Sequence, residues 1–400
     1  MFLRIKKVSP LTSKIAKYKD VIRQLYTIRD IMFKITSEKS TSEKKIELLN
    51  HGTKDTCEKE KTKAVALLSG GLDSHLAVRM MKEQGIEVEA VAIKTPFCDF
   101  DCGKGCGHKV LEVASELDVK LKTVYLGKEY LTMLKNPKHG YGSGMNPCID
   151  CRMMMYDQAK KHMEEIGADF IFTGEVLHQR PMSQNSNALS IIEKGTAMEG
   201  KVLRPLSARL LPLTNPENDG LINRSMLGTI RGRSRKGQLD LADKYGIADP
   251  PNSAGGCLLT DPQFSKRVRD LFQFSGPEPS INDVELLKIG RHFRLNSLSK
   301  LIVGRNHAEN EMIKSLSNDT DYLIQPVTVP GPTSILRLSV RPDLRKHKNL
   351  LKLSIQVTLR YSDTEAEYKY EVSVINRRQK LVRTISSLPC TKNVVEDYRI

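Results

Sequence analysis

The sequence predicts an α/β protein: a parallel sheet covered by helices on both faces, followed by a smaller α+β or β domain. Three observations predict it. Short apolar runs alternate with helical segments from Ala64 to Thr173, the pattern of strands buried on both faces. The first run ends in a glycine turn that opens directly into a helix. Beyond about Val284 the character changes, and apolar and polar residues alternate as they do in half-buried strands.

In chain order, residues 64–68 read as the first strand and 75–84 as the helix after it. Residues 88–93 form a second strand, 108–117 a helix and 121–126 a third strand. Residues 151–166 are helical, and 170–173 form the fourth strand. The stretch 180–262 is rich in Pro, Gly, Ser and Asn and is long for a connection, which marks a functional surface. Residues 353–360 and 368–375 alternate and are expected to be strands. The expected organisation is a basic extension over 1–62, poorly ordered or helical, a catalytic domain over 63–276 and a small C-terminal module over 280–400.

Composition narrows the class. The chain has 400 residues, 39% hydrophobic residues and no Trp, which suits a globular protein with polar appendages. No run of 18 apolar residues exists, so no spanning helix is expected. The net charge is +16 and gathers at the two ends. Met1 to Lys63 holds 16 basic and 8 acidic residues, and Gly331 to Ile400 holds 14 and 7. Basic ends around a balanced middle suit a polyanionic partner such as RNA, against the plainer reading of solvated lysines. A cytoplasmic location is expected. Organellar import is the alternative, because the first 35 residues are basic and contain only Asp20 and Asp30 as acids.

The turn after the first strand reads Ser69-Gly70-Gly71-Leu72-Asp73-Ser74. Two glycines let the backbone turn sharply and present N–H groups to an anion, and the following helix adds its positive end. Asp73 is placed to hold Mg2+, and Ser69 and Ser74 to donate hydroxyl hydrogen bonds. The Walker lysine is missing, so this is no ordinary P-loop NTPase. The plain alternative is a helix cap made by Asp73 or Ser74.

Eight cysteines occur, and a disulfide framework is not expected without a secretion signal. Cys148 and Cys151 form a C-x-x-C pair, the spacing of metal or redox chemistry. Cys98, Cys102 and Cys106 form a run followed by His108. Zinc could use all four, but the flexible, glycine-containing loop favours inert thiols. Cys57 and Cys390 are read as inert. Two basic clusters, Arg231-Gly232-Arg233-Ser234-Arg235-Lys236 and Arg291-His292-Phe293-Arg294, are candidates for phosphate contacts.

The 69–74 string is the signature of the PP-loop superfamily, the adenine nucleotide alpha hydrolase-like fold whose members cleave ATP between its α- and β-phosphates. The resemblance extends further. Gly140 to Arg152 resembles the cysteine loop of tRNA thiouridylases, of both 2-thiouridylase and 4-thiouridine synthase type. Thr173-Gly174-Glu175-Val176 with Gln179-Arg180-Pro181-Met182-Ser183-Gln184 resembles a second nucleotide-side loop, with His178 where many relatives have glycine. Ala254-Gly255-Gly256-Cys257 resembles the segment with the second functional cysteine. The specific likeness spans 64–269 and runs more loosely to about Leu336. Residues 303–332 are similar to an RNA-binding domain of ribosome-quality-control factors that is fused to some PP-loop enzymes.

This resemblance implies ATP-dependent synthesis of thiouridine in tRNA: a uridine carbonyl is adenylated, then sulfur replaces the oxygen. It places ATP at Ser69, Gly70, Gly71, Asp73, Ser74, Ile93 and Gly174, and catalysis at Asp73, Cys148, Cys151 and Cys257. Partners are tRNA and a donor of sulfide or persulfide. Cys148, Cys151 and Cys257 are expected to ligate a [4Fe–4S] cluster, leaving one iron open. The alternatives are a persulfide and resolving-thiol pair, a zinc clip or buried free thiols. Two rival functions are an ammonia-using PP-loop ligase and a non-catalytic RNA-binding protein. An intact Asp73 argues against the second.

Overall fold

The computed structural model describes residues 61–97, 106–247, 250, 257–274, 276, 279–339, 348–376, 378 and 381–400. The readings for 1–60 with Cys57, for Cys98 and Cys102, and for Gly255 and Gly256 lie outside these residues, as does the side chain of Cys106. The fold below belongs to the compact unit Lys61–Ile400.

The first sheet has five parallel strands: β1 (Lys63–Leu67), β2 (Glu87–Lys94), β3 (Lys120–Tyr125), β4 (Phe170–Thr173) and β5 (Val202–Leu203), in the order β3-β2-β1-β4-β5. All four residues of β4 are buried. The two-residue period of a strand sorts side chains to opposite faces. Ala64 and Ala66 join Phe170 and Phe172 in one core, while Val65 and Ile171 join the other. Helices α1 (Leu72–Glu83) and α2 (Cys106–Glu116) pack on the first face. After α3 (Lys128–Lys135), helices α4 (Cys148–Ile166) and α5 (Ser186–Gly195) cover the second. Helices α1 and α4 begin earlier than the apolar periodicity suggests, because first-turn residues such as Asp73 and Asp150 serve the helix end rather than its apolar stripe.

The stretch after β4 is more structured than its composition implies. It holds α5, β5, the short α6 (Asn215–Asn218) and α7 (Lys236–Lys244). It also returns to the sheet: Arg231 bridges Leu177, and Gly232 N–H donates to Leu177 O at 2.7 Å. Helices α8 (Pro262–Phe274) and α9 (Ile281–Leu287) lead to the second sheet.

That sheet is six-stranded and antiparallel. It comprises β6 (Arg291–Asn296), β7 (Ser299–Val303), β8 (Tyr322–Pro326), β9 (Ser334–Leu338), β10 (Tyr370–Asn376) and β11 (Leu381–Ser387), in the order β11-β10-β8-β9-β7-β6. Helix α10 (His307–Leu316) packs with α9 on one face and α11 (Lys348–Arg360) on the other, and α12 (Lys392–Glu396) follows. Residues 353–360 are therefore helical, not a strand. Their alternation misleads because the polar positions are small hydroxyls that a helix can bury. Ser354 Oγ donates to Leu350 O at 2.8 Å, and Thr358 Oγ1 donates to Ser354 O at 2.8 Å. Residues 368–375 do contain a strand, β10.

The basic cluster at 291–294 is also corrected. It is β6, and its charges are used internally. Arg294 donates from Nε and Nη2 to Asp270 on α8, at 2.8 and 2.7 Å. Arg291 lies over the Tyr361 ring, 4.6 Å from its centre. His292 and Phe293 are buried. No helix among the described residues is long and apolar enough to cross a membrane.

Candidate functional site

In a sheet of order 3-2-1-4-5, the connections from β1 and β4 leave in opposite directions. A crevice opens between them at the carboxyl ends of the strands. Residues 69–74 follow β1 and residues 174–184 follow β4, so both nucleotide-side strings meet in this crevice. Gly174 shows how closely. A Cβ there would lie 2.4 Å from Ser74 N. Gly70 adopts φ +75°, and a Cβ on it would lie 2.8 Å from Val110 N of α2. Ser74 Oγ donates to Gly71 O at 2.9 Å and accepts from Ser69 N–H at 3.3 Å, which holds the turn closed. Gly71, the N-cap of α1, offers no side chain, so the first-turn N–H groups keep an anion-binding face. Ile93 is half-buried near the end of β2, next to this crevice.

Asp73 sits in the first turn of α1. Burial raises its carboxyl pKa, opposed by the amides of Gln179 and Gln238 and the guanidiniums of Arg235 and Arg180. His178 in the same loop has φ +62°, the left-handed region that glycine occupies freely. A non-glycine residue there costs about 1–2 kcal/mol, and the short bond from His178 N–H to Gln184 O, 2.7 Å, helps to hold it.

The cysteines lie on two segments clamped together. Cys148 opens α4, and Cys151 follows one turn later. Cys257 directly precedes the 3-10 turn Leu258–Thr260. Met145 N–H donates to Leu259 O and Arg269 Nη2 to Gly144 O, both at 2.9 Å. Gly144, at φ +67°, admits this approach, since a Cβ would lie 2.4 Å from Leu259 O. Cys151 and Cys257 lean on one apolar cluster with Met145, Leu259 and Phe264. Burial pushes the Cys148 thiol pKa up, and Arg152 and Arg180 oppose it.

Arg180 joins the two halves of the site. It is exposed to solvent, with protein atoms crowding its guanidinium. Burial and then Arg152 lower its pKa, while Cys148, Asp73 and Cys257 act the other way. One guanidinium thus feels the phosphate-loop carboxylate and two of the three thiols. Arg152 is anchored behind them. Its Nε lies 3.5 Å from Glu175 Oε1, and Glu175 Oε2 accepts from Tyr156 Oη at 2.6 Å and Arg204 Nε at 3.2 Å. Burial works against the Glu175 charge, but Arg152 and Arg204 outweigh it and keep its pKa low.

Among the described residues, no three His, Cys, Asp or Glu side chains gather as a metal ion requires. Cys148 and Cys257 act electrostatically on Arg180, and Cys151 and Cys148 on Arg152, without closing into a ligand set. Sequence reasoning gave no role to Arg152, Gln179, Arg180 or Gln238. The first three lay inside the strings that carried the resemblance, so the signal was present. Gln238 had none, because only the return of α7 places it beside Asp73.

Comparison with known proteins agrees with this layout. Residues 59–209 match the family model described as thiamine biosynthesis protein (ThiI), and residues 290–399 match that of the NFACT protein RNA binding domain. The chain contains a ThiI-type PP-loop segment and an NFACT-type segment. The ThiI-type match covers β1 to β5, and the NFACT-type match covers the antiparallel sheet. A "tRNA-specific 2-thiouridylase MnmA" of Colwellia psychrerythraea is 30% identical over 137 residues, 32% of this chain and 36% of that protein. A "Probable tRNA sulfurtransferase" of Caldanaerobacter subterraneus is 32% identical over 144 residues, 36% of each chain. The chain spans about a third of the length of these curated relatives. A solved 4-thiouridine synthetase–RNA complex with bound ATP is 19% identical, with TM-score 0.31 over 57% of this chain and 52% of that one, too low to align the chains as wholes.

Proposed function

We propose that this protein uses ATP to adenylate a uridine carbonyl of tRNA and then replaces the oxygen with sulfur. One observation carries the reading: the Arg180 guanidinium interacts electrostatically with Asp73 on the phosphate loop and with the thiols Cys148 and Cys257. This coupling supports ATP activation and thiol chemistry sharing one cleft. An amide-like carbonyl loses its oxygen poorly. Its attack on the α-phosphorus expels pyrophosphate and converts the oxygen into part of a good leaving group, AMP. The α1 N–H groups and Arg180 supply fixed positive charge where negative charge develops. An ammonia-using ligase would need the first step but not the thiols. The relatives' names, thiouridylase and sulfurtransferase, support the thiol reading.

Asp73 suits Mg2+, which takes one or two carboxylates together with phosphate oxygens. A cation there offsets the burial that raises the pKa of Asp73. For sulfur delivery, Cys148, Cys151 and Cys257 suit a [4Fe–4S] cluster by donor chemistry, but the described residues do not gather them into a ligand set. No step here runs through a cluster. The alternative is a persulfide on Cys148 or Cys151, with Cys257 as resolving thiol. Protein purified without oxygen decides between them. About four irons per chain, lost on changing any one of the three to Ala, mark the cluster. Iron-free protein that still thiolates tRNA marks the persulfide.

The function is tested by mass spectrometry of tRNA nucleosides from cells lacking the protein. One thiouridine should disappear and return with the wild-type chain but not with Asp73→Ala. Unchanged thiouridine content sinks the proposal.

A further inference from the structure

His139 and Asp150 have no place in the function described so far. Asp150 sits between Cys148 and Cys151 in the first turn of α4. Its side chain is 8% exposed, and both of its oxygens bond to His139. The His139 backbone N–H donates to Oδ2, and ring Nδ1 meets Oδ1, each at 3.0 Å. Gly140, at φ +72°, turns the chain directly after the histidine. The rest of the loop is fixed to the cysteine segment. Gly142 N–H donates to Asn146 O at 2.8 Å, and the Asn146 side chain bonds to the Cys148 thiol. The histidine is therefore anchored to the residue between the paired cysteines, on the loop that ends in Cys148.

A ring nitrogen held against a buried carboxylate carries its proton there, and that bond fixes both the tautomer and the ring orientation. Nε2 is then the nitrogen that can accept a proton. The ring is 21% exposed, so a substrate can reach it. The proposed reaction requires such a base. Positions 2 and 4 of uracil both flank N3. When either carbonyl oxygen bonds to the α-phosphorus, the bond from phosphorus to the bridging oxygen breaks, and its electron pair leaves with pyrophosphate. The N3–H proton must then pass to a base as the double bond between N3 and the activated carbon forms. Arg152 and Arg180 have no acceptor atom for it, and Asp73 is taken up by the cation it suits.

We propose that His139 Nε2 is the general base that takes the N3 proton of the target uracil during adenylation, with Asp150 as the residue that positions it. The assignment rests on the adenylation reading of the cleft and deepens it. Asp150 holds the ring in one tautomer and steadies the imidazolium once it forms, as the carboxylate does in other histidine–carboxylate pairs. The imidazolium gives its proton to water before the next turnover. N3 lies beside both carbonyls, so one base serves thiolation at position 2 or at position 4.

Full-length His139→Asn and His139→Ala are compared with wild type by tRNA-dependent ATP–pyrophosphate exchange and by calorimetry with ATP. Asn carries an N–H donor where Nδ1 stands, so it can keep the bond to Asp150 while removing Nε2. It remains a test if His139→Ala folds poorly. Both variants should bind ATP as wild type does and lose exchange about a hundredfold or more. Added imidazole should restore exchange to His139→Ala, because a free base can enter the space the ring leaves. Exchange at the wild-type rate in His139→Asn would overturn the assignment. So would a natively folded His139→Ala whose lost exchange imidazole leaves unchanged, which makes the ring structural. His178, exposed on the nucleotide-side loop, is the rival base. Loss in His178→Ala with His139→Asn unaffected hands the role to it. Wild-type protein without tRNA-dependent exchange overturns the adenylation reading itself and is distinguished before any variant is made.

Discussion

Asp270 on α8 meets both Arg294 on β6 and Lys300 on β7, so it ties the helix after the cysteine segment to the antiparallel sheet. Its oxygens accept three charge-assisted bonds, at 2.8 and 2.7 Å from Arg294 and 2.8 Å from Lys300. Asp270 and Lys300 are 8% exposed. Removing one partner of a buried ion pair costs about 3–5 kcal/mol, because the charge left behind has lost water and partner alike. Asp270→Asn should cost about that. The upper limit follows from Lys300, whose pKa burial lowers from 10.5 to about 8 even with Asp270 beside it. Without Asp270 the lysine can discharge, and deprotonating a lysine of ordinary pKa at pH 7 costs about 5 kcal/mol. The signs can be followed with pH. In wild type Lys300 stays charged below about pH 8, so stability is flat with respect to this group and rises only above it. In the variant the folded lysine is neutral while the unfolded one is charged, so stability rises by about 1.4 kcal/mol per pH unit from pH 7 upward. The deficit should therefore narrow by about 1.4 kcal/mol between pH 7 and 8. The chain has no Trp, so urea unfolding is followed by far-UV circular dichroism. A deficit under about 1 kcal/mol, or one that ignores pH, refutes the account of a buried, mutually dependent triad.

Three further outcomes are expected. Gly174→Ala should abolish ATP–pyrophosphate exchange while leaving the dichroism spectrum native, since a Cβ there falls 2.4 Å from Ser74 N; exchange at wild-type rate means the two loops do not meet as described. Cys148 is held above the usual thiol range by burial, so its alkylation by iodoacetamide should rise about tenfold per pH unit through pH 9, and a plateau below pH 8 contradicts this. Lys369 and Arg383 are exposed on the antiparallel sheet and its approach, so Lys369→Gln and Arg383→Gln should each reduce the salt slope of tRNA binding by about 1 without changing ATP affinity; an unchanged slope moves the RNA surface elsewhere.

Much of this protein is local in origin and legible in the chain. The strand–glycine turn–helix unit at 64–83 follows from apolar runs, two glycines and the residue types after them, because turn and helix preferences act over a few neighbours. The cysteine pair is legible for the same reason: a C-x-x-C opening a helix spans one turn. Residues 353–360 show where local pattern fails. Their alternation fits a strand, yet the apolar face of the antiparallel sheet takes a helix, and Ser354 and Thr358 bond back to their own backbone. The basic strings show the same limit. Arg294 and Arg235 look equivalent as charges in a row, but Asp270 claims the first while α7 delivers the second to Asp73. Charge is written in the sequence, but its counter-charge arrives from distant segments, and so does the burial that sets what it is worth. The strings that carry the resemblance are therefore visible in one dimension, whereas the coupling of Arg180 to carboxylate and thiols, and of Gln238 to Asp73, is decided only when parallel strands bring the ends of β1 and β4 together.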